Sequence, residues 1–202
     1  YTGKDPRVTG LGLVAARDCI SFFRFAQSDA KGVRNPLAGA IQKAYIFGIS
    51  QSGRFIHHFL FEAMNTDEAG RMVLDGAMPH VGGGGKGQFN YRFAQTTRHG
   101  SQHQDNLFAS DFFPFNSVPQ VDPVTGRKGD SFAVLKERGH LPEVFFTETS
   151  AEYWSRAASL LHTDTVGKTD AGIDPNLRLY FFTGAQHGVS GSTSRGIYRN
   201  PT

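Results

Sequence analysis

Short apolar runs that alternate with helical patterns constrain the fold of this chain most strongly. The strand-like runs cover residues 44–50, 71–81, 142–150 and 177–188, the last of which continues into a glycine-bounded loop. Helical spacing of apolar residues covers residues 11–26, 54–65 and 151–164. Nearly continuous apolar runs of strand length are typical of strands buried on both faces. This alternation predicts right-handed crossovers and an α/β fold, with a mostly parallel sheet flanked by helices.

The segment from about residue 87 to residue 139 interrupts this alternation. It is far longer than a usual connection, and long insertions in compact domains are often lids or binding loops. The aromatic residues in its FNYRF and DFFPF stretches argue against pure disorder. We therefore expect a lid-like insertion over the carboxyl ends of the strands, where ligands of open α/β sheets gather.

The two ends of the sequence indicate a partial domain. The chain starts YTGKDPRVTG, without an initiator Met, and ends at RNPT without an obvious closing element. We expect residues 1–202 to form a single partial domain, a fragment of a longer protein whose amino-terminal strands are missing.

Composition excludes several classes of protein. The chain is 39% hydrophobic and 19% charged, as in soluble globular proteins. Its net charge of +3 is spread without a run of five Lys or Arg, so nucleic acid is not an expected partner. No apolar stretch approaches the roughly 20 residues of a membrane helix. The single cysteine, Cys19, cannot form an internal disulfide and is predicted to be buried; the compartment, including export of a longer parent protein, stays open.

The stretch IFGISQSGRF, residues 46–55, resembles a nucleophile elbow, the strand-to-helix turn of G-x-S-x-G serine enzymes. Crowding in that turn requires small residues two places before and two places after the nucleophile. Ser50 meets this condition with Gly48 and Ser52, whereas Ser52 is followed two places later by the bulky Arg54. Ser50 is therefore the predicted nucleophile, although G-x-S-x-S also occurs in plain turns. The backbone N–H of Gln51, at the start of the next helix, is the predicted oxyanion donor.

A serine nucleophile needs a base, and the chain has eight histidines. His187 follows the last strand in a loop at its carboxyl end, where this fold places its base, and it comes after the serine in the required order. His80 follows the strand-like stretch MVLDGAMP, residues 72–79, and is a candidate for lining the substrate cleft. His99 and His103 are four residues apart, but their segment lacks a helical pattern, so no metal site is predicted. The histidines expected in packing or surface positions are His57, His58, His140 and His162.

The acid of the triad should lie between the serine and the histidine in the sequence. The candidates are Asp75, Glu148, Glu152, Asp164 and Asp170. Glu152 is preferred because it enters the next helix from a loop and is free to reach inward, although an ordinary acid in a first helical turn is the alternative. Glu148 comes second because strand alternation would turn its side chain into the sheet; it is also a candidate for the cleft.

The glycine run 82–85 invites comparison with the HGGG oxyanion motif. That motif precedes the nucleophile, whereas this run follows it, so the run is predicted to be a flexible lead into the insertion. The first half of the oxyanion hole is expected in an earlier loop that this chain does not contain.

Several stretches together resemble the bacterial alpha/beta hydrolase domain family, whose members look like serine hydrolases with a G-x-S-Q-S-G elbow. The stretches are GISQSGRF, DGAMPHVGGG, SAEYW, SLLHTD and LRLYFFTGAQHG, and the resemblance covers nearly the whole chain. It implies Ser50 as nucleophile, Glu152 as acid and His187 as base.

These observations predict a serine hydrolase that cleaves a carboxylic ester of a small molecule through an acyl-enzyme intermediate, without a cofactor. The alternatives are another acyl-transfer chemistry on the same triad (amidase, thioesterase or acyltransferase) or a non-catalytic binding module. The sequence leaves the substrate's acyl and alcohol groups and the oligomeric state open.

Overall fold

The computed structural model describes residues 10–87 and 111–188, together with residues 4 and 89. The elements in chain order are α1 (Gly12–Phe25), β1 (Tyr45–Ile49), α2 (Gln51–Phe61), β2 (Gly76–His80), β3 (Gln120–Val121), β4 (Lys128–Gly129), α3 (Ala133–Glu137), β5 (Glu143–Thr149), α4 (Ser150–Ser155), a 3-10 helix (Ala158–Leu161) and β6 (Leu177–Phe182).

Strands β1, β2, β5 and β6 form one parallel sheet in that order. Ile49 pairs with His80, and Thr149 pairs with Phe182, so the strands end almost level with one another. The residues that follow the strands therefore meet at one edge of the sheet. The prediction of an α/β fold with a parallel sheet and flanking helices is confirmed, and the edge formed by the strand ends is where its ligands are expected.

Two predicted elements are shorter than their sequence patterns. The strand-like run 71–81 contributes only Gly76–His80. Before it, the N–H groups of Val73 and Leu74 donate to the backbone carbonyl and the side chain of Asn65. The Asp75 carboxylate accepts the Ala44 N–H and pairs with Arg24. The helical pattern 151–164 is broken because Ala157 has a φ of 54°, a left-handed conformation that ends α4 before the 3-10 helix begins.

The buried apolar residues form one cluster on one face of the sheet. Phe59 and Leu60 of α2 pack there with Val144 and Phe146 of β5. His57 is also buried, with its ring 5.3 Å from that of Phe146, as expected for a packing residue. Burial lowers the pKa of His57 well below its usual value, so its imidazole is neutral inside the core.

The other face of the sheet is exposed. Because successive side chains of a strand point to opposite faces, every second residue of the apolar runs lies on this face. Its exposed members are Tyr45, Phe47, Ile49, Met78, Phe145, Tyr180 and Phe182. The prediction that the runs are buried on both faces is therefore wrong for this face. Cys19 is also exposed, contrary to its predicted burial, because the side of α1 that faces the core is formed by Leu13, Ile20 and Ser21.

The described part of the predicted insertion, residues 111–139, contains β3, β4 and α3. Phe132 and Leu135 of this part are almost completely buried in the core. Residues 88 and 90–110 of the insertion lie outside the described residues, and the lid assignment for about 87–139 stays a prediction.

Asn65 joins three parts of the core and offers a test of this packing. Its side chain is fully buried; it accepts the Leu74 N–H and donates to the carbonyl oxygens of Leu74 and His140.

Replacing Asn65 with Ala leaves these buried backbone groups unpaired. We expect Asn65→Ala to lower the free energy of unfolding by about 3 kcal/mol, as measured by urea denaturation. Asn176→Ala is the control: it removes one bond, to the Leu141 carbonyl, at a partly exposed site and should cost about 1 kcal/mol. Equal effects would contradict this account.

Candidate active site

Ser50 occupies the turn between β1 and α2 in a conformation that non-glycine residues rarely adopt. Its φ is 60° and its ψ is −117°. Two backbone bonds hold it: the Ser50 N–H donates to the His80 carbonyl at 2.8 Å, and the Ser50 carbonyl accepts the Arg54 N–H at 3.0 Å. Backbone strain of this kind persists only where the surroundings impose it, and it clusters at functional sites.

The packing around this turn explains why its glycine comes one place later than in G-x-S-x-G. A Cβ on Gly48 would lie 2.5 Å from the Ser52 carbonyl oxygen, and a Cβ on Gly53 would lie 2.9 Å from the His80 carbonyl oxygen. The side chain of Ser52 is exposed. The position that must be glycine is therefore residue 53, where the first turn of α2 passes the end of β2.

Three predicted residues meet at the carboxyl edge of the sheet. Ser50 Oγ lies 2.8 Å from His187 Nε2, and His187 Nδ1 lies 2.5 Å from Glu152 Oε1. The serine follows β1, the glutamate lies in α4 directly after β5, and the histidine lies in the loop after β6. Parallel strands thus bring together residues that are up to 137 positions apart in the chain.

The two carboxylate oxygens of Glu152 have different hydrogen-bond partners. Oε1 faces His187, while Oε2 accepts hydrogen bonds from the backbone N–H of Thr149, at 3.1 Å, and from its hydroxyl group. The second pair of contacts belongs to a capping box at the start of α4. Burial opposes ionisation of Glu152, but the bonds from Thr149 and His187 outweigh burial and lower its pKa. Glu152 is thus both a first-turn helix acid and the carboxylate beside His187.

A cavity of about 300 Å³ opens beside these residues. Ser50, Glu152 and His187 line it, as do Gln51 and Arg156. Gln51 is the first residue of α2, and its backbone N–H has no acceptor among the described residues. This N–H lies next to Ser50 and at the positive end of the helix dipole, the position predicted for an oxyanion donor.

His80 and Glu148, the two candidates for the cleft, do not line this cavity. His80 Nδ1 lies 2.8 Å from Thr147 Oγ1, and its ring stacks on Phe47, so its side chain belongs to the exposed face of the sheet. Its backbone carbonyl, in contrast, anchors Ser50. Glu148 is fully buried on the core face, where strand alternation turns it into the sheet, and its Oε2 accepts the Gly83 N–H at 3.0 Å.

The environment of Glu148 favours its neutral form. Burial raises the pKa of this carboxyl to about 8, and the negative charge of Glu152 acts in the same direction, against bonds from the Gly83 and Gly82 backbone. Its Oε1 has no partner among the described residues. Glu148 and Glu152, four residues apart in the sequence, thus differ in charge near neutral pH: the first is neutral and the second is negative.

The glycine run 82–85 is buried and closely packed, which corrects the prediction of a flexible lead into the insertion. The Gly84 N–H donates to the Arg156 carbonyl at 2.9 Å, and a Cβ on Gly84 would lie 2.1 Å from the Ala157 carbonyl oxygen. A Cβ on Gly82 would lie 3.1 Å from the Arg54 nitrogen. The run therefore requires glycine because it packs between the start of α2 and the end of α4.

Sequence reasoning missed the arginines at the cavity. Arg54 and Arg156 both line it. Arg54 is almost fully buried and pairs with Asp111 at 2.9 Å. Its position in the first turn after the elbow was a usable signal, since residue 54 must lie near residue 50. Arg156 carried a similar signal, because it lies four residues after Glu152 and its backbone N–H donates to the Glu152 carbonyl at 2.9 Å.

The remaining histidines have contacts away from the cavity. His140 Nδ1 lies 2.9 Å from Thr66 Oγ1, and His162 Nε2 lies 3.2 Å from Tyr153 Oη. No group of three or more His, Cys, Asp or Glu residues with metal-binding geometry occurs in the described ranges, and His99 and His103 lie outside them. None of the described helices has the length and apolar character needed to cross a bilayer.

Comparison with known protein families identifies the family of this chain. The sequence profile of a family described as alpha/beta hydrolase domain matches residues 10–200, almost the whole chain. No curated protein and no solved structure shows a significant match.

The raised pKa of Glu148 predicts a specific dependence of stability on pH. The unfolded chain loses this proton near the ordinary pKa of 4.5, whereas the folded chain keeps it up to about pH 8. Between these values the unfolded state binds fewer protons, so the contribution of Glu148 to stability falls as pH rises, by about 1.4 kcal/mol per pH unit.

Glu148→Gln removes the ionisation and should relieve this loss. We expect its free energy of unfolding, relative to the native chain, to rise steadily between pH 5 and pH 8 in urea titrations. Glu143→Gln, at the exposed amino end of the same strand, is the matched control and should give a flat difference. A flat difference for Glu148→Gln as well would show that Glu148 is ionised in the folded protein.

Proposed function

Because the chain belongs to the alpha/beta hydrolase domain family, we propose that it is a serine hydrolase that cleaves a carboxylic ester of a small molecule. One observation supports this proposal above the others. The serine in the strained turn contacts His187, which contacts a buried, ionised Glu152, and all three line one cavity. A serine hydroxyl becomes a useful nucleophile only when an oriented base takes its proton, and this arrangement meets that requirement.

In the first half of the reaction, Ser50 Oγ attacks the ester carbonyl carbon while its proton passes to His187 Nε2. Glu152 Oε1 accepts the Nδ1–H of His187, which fixes the tautomer and stabilises the imidazolium that forms. The carbonyl oxygen becomes an oxyanion, to which the Gln51 N–H donates. The tetrahedral intermediate collapses as His187 returns the proton to the leaving alcohol, and an acyl-serine remains.

In the second half, a water molecule attacks the acyl-serine carbonyl and gives its proton to His187. Collapse of this second tetrahedral intermediate breaks the bond to Ser50 Oγ, which takes the proton back from His187. The products are a carboxylic acid and the free enzyme. No step uses a metal or an organic cofactor.

Two alternatives use the same fold. Amidase, thioesterase and acyltransferase chemistry would need the same three residues, so a panel of amides, thioesters and acyl acceptors separates them from ester hydrolysis. A non-catalytic binding module would keep the sheet and the cavity without a reactive serine. The contact between Ser50 and His187 favours catalysis over binding alone.

Labelling by a fluorophosphonate tests the nucleophile. We expect the native chain to be labelled, because the probe phosphorus is attacked by an activated serine. Ser50→Ala should abolish the labelling, and Ser52→Ala should retain it, since the Ser52 side chain is exposed two residues away from the turn. Mass spectrometry of the labelled peptide locates the adduct. A folded native chain that stays unlabelled would favour the binding module.

Matched glutamine substitutions test the acid. In Glu152→Gln, the amide oxygen should accept the two Thr149 hydrogen bonds, which leaves the NH₂ group facing His187 Nδ1. His187 is then held in the wrong tautomer and cannot take the Ser50 proton. We expect kcat for para-nitrophenyl acetate to fall by about 10³- to 10⁴-fold.

Glu148→Gln is the control for this measurement, because Glu148 touches neither Ser50 nor His187 and should lose far less activity. The reverse order of effects would make Glu148 the acid and would contradict the assignment of Glu152.

A further inference from the structure

The charged side chains around the cavity are paired, with one exception. Glu152 is bound by Thr149 and His187. Arg54 is paired with Asp111 and also donates to the Gly82 carbonyl at 2.9 Å. The guanidinium group of Arg156, in contrast, makes no hydrogen bond or ion pair within residues 10–87 and 111–188. The cavity beside Ser50 therefore has a cation without a protein partner among the described residues.

Arg156 is held in this position by its backbone. Its carbonyl accepts the Gly84 N–H at 2.9 Å, and a Cβ on Gly83 would lie 2.6 Å from the Cβ of Arg156. The next residue, Ala157, is fixed in the left-handed conformation. The glycine run thus provides the space in which Arg156 lies beside the cavity. Because its backbone packs against the glycine run, Arg156 has a defined position relative to Ser50, which an arginine on an unpacked loop would lack.

The chemistry of arginine identifies the group that would pair with it. The planar guanidinium presents parallel N–H donors that match the two oxygens of a carboxylate. Arg156 is partly buried, so its charge is partly desolvated and gains from a bound anion. A cavity of about 300 Å³ is at the small end of ligand sites, which limits the substrate to a small molecule.

We propose that the substrate is a small ester that carries a carboxylate in its acyl or alcohol part, and that Arg156 binds this carboxylate while Ser50 attacks the ester carbonyl. This inference rests on the proposed esterase function and names the substrate class of the same site. Arg156 is then a residue that determines specificity and takes no part in the transfer of the proton.

Two pairs of esters test the proposal, each with an anionic member and a neutral isostere. On the alcohol side the pair is para-acetoxybenzoate and para-acetoxybenzamide. On the acyl side it is the para-nitrophenyl monoester of adipic acid and the terminal amide of that monoester. The quantity measured is the ratio of kcat/KM for the anionic ester to kcat/KM for the neutral ester, which cancels any general effect on the catalytic groups.

We expect the native chain to prefer the anionic member of at least one pair by about 10- to 100-fold, the usual effect of a charged hydrogen bond. Arg156→Gln should reduce this ratio by the same factor. Arg138→Gln is the matched control: it removes an exposed arginine just after α3, before the amino end of β5, and should leave the ratio unchanged. A ratio near one in the native chain, or a ratio that Arg156→Gln leaves intact, would overturn the proposal.

Direct binding separates this inference from the proposed reaction. Ser50→Ala is titrated by calorimetry with para-acetoxybenzoate, with the adipate monoester and with their two amides. We expect a carboxylate to bind at least about 10-fold more tightly than its amide, and Arg156→Gln in the same background to remove that difference. If the native chain hydrolyses no ester but this difference is present, the esterase function fails and the carboxylate site stands. If neither carboxylate binds better than its amide, the carboxylate site is refuted whether or not esters are hydrolysed.

Discussion

The close passage of α2 across the end of β2 is the constraint on which the rest of the site depends. Gly53 has no room for a side chain against the His80 carbonyl, and Gly48 has none against the Ser52 backbone. With both helix and strand fixed, the chain must turn within one residue, and Ser50 takes the left-handed φ of 60° that this turn demands. The hydroxyl is thereby placed above the strand ends, within 2.8 Å of His187.

The electrostatics of the site depend on where two neighbouring carboxyl groups lie. Glu148 is the penultimate residue of β5 and points into the core, where burial keeps it neutral at pH 7. Glu152 lies in the first turn of α4, where the Thr149 N–H and hydroxyl stabilise its charge. A neutral Glu148 adds no second negative charge beside the Glu152 carboxylate. In the proposed mechanism, the negative charge that faces the imidazolium of His187 therefore comes from one carboxylate held at one position.

The features that could be predicted from the sequence are those that depend on local pattern and chain order. The alternation of apolar runs with helical patterns was sufficient to predict the parallel sheet. The small residues two places before and after Ser50 were sufficient to prefer it to Ser52 as the predicted nucleophile. Burial could not be predicted in the same way, because a fully apolar run does not show which face is covered, and Phe47 and Tyr180 are exposed. The packing of the glycine run was missed because its contact with Arg156, through the Gly84 N–H, joins segments more than 70 residues apart.

The glycine run 82–85 also explains how α2, β5 and the end of α4 keep fixed positions relative to one another. Gly82 packs against the first turn of α2, and the Gly83 N–H binds Glu148 in β5. Gly84 holds the carbonyl of Arg156 at the end of α4. One buried segment therefore fixes the helix after Ser50, the strand before Glu152 and the turn that presents Arg156. Since the backbones approach to distances at which a Cβ would clash, displacement of any one of these elements would disturb the other two.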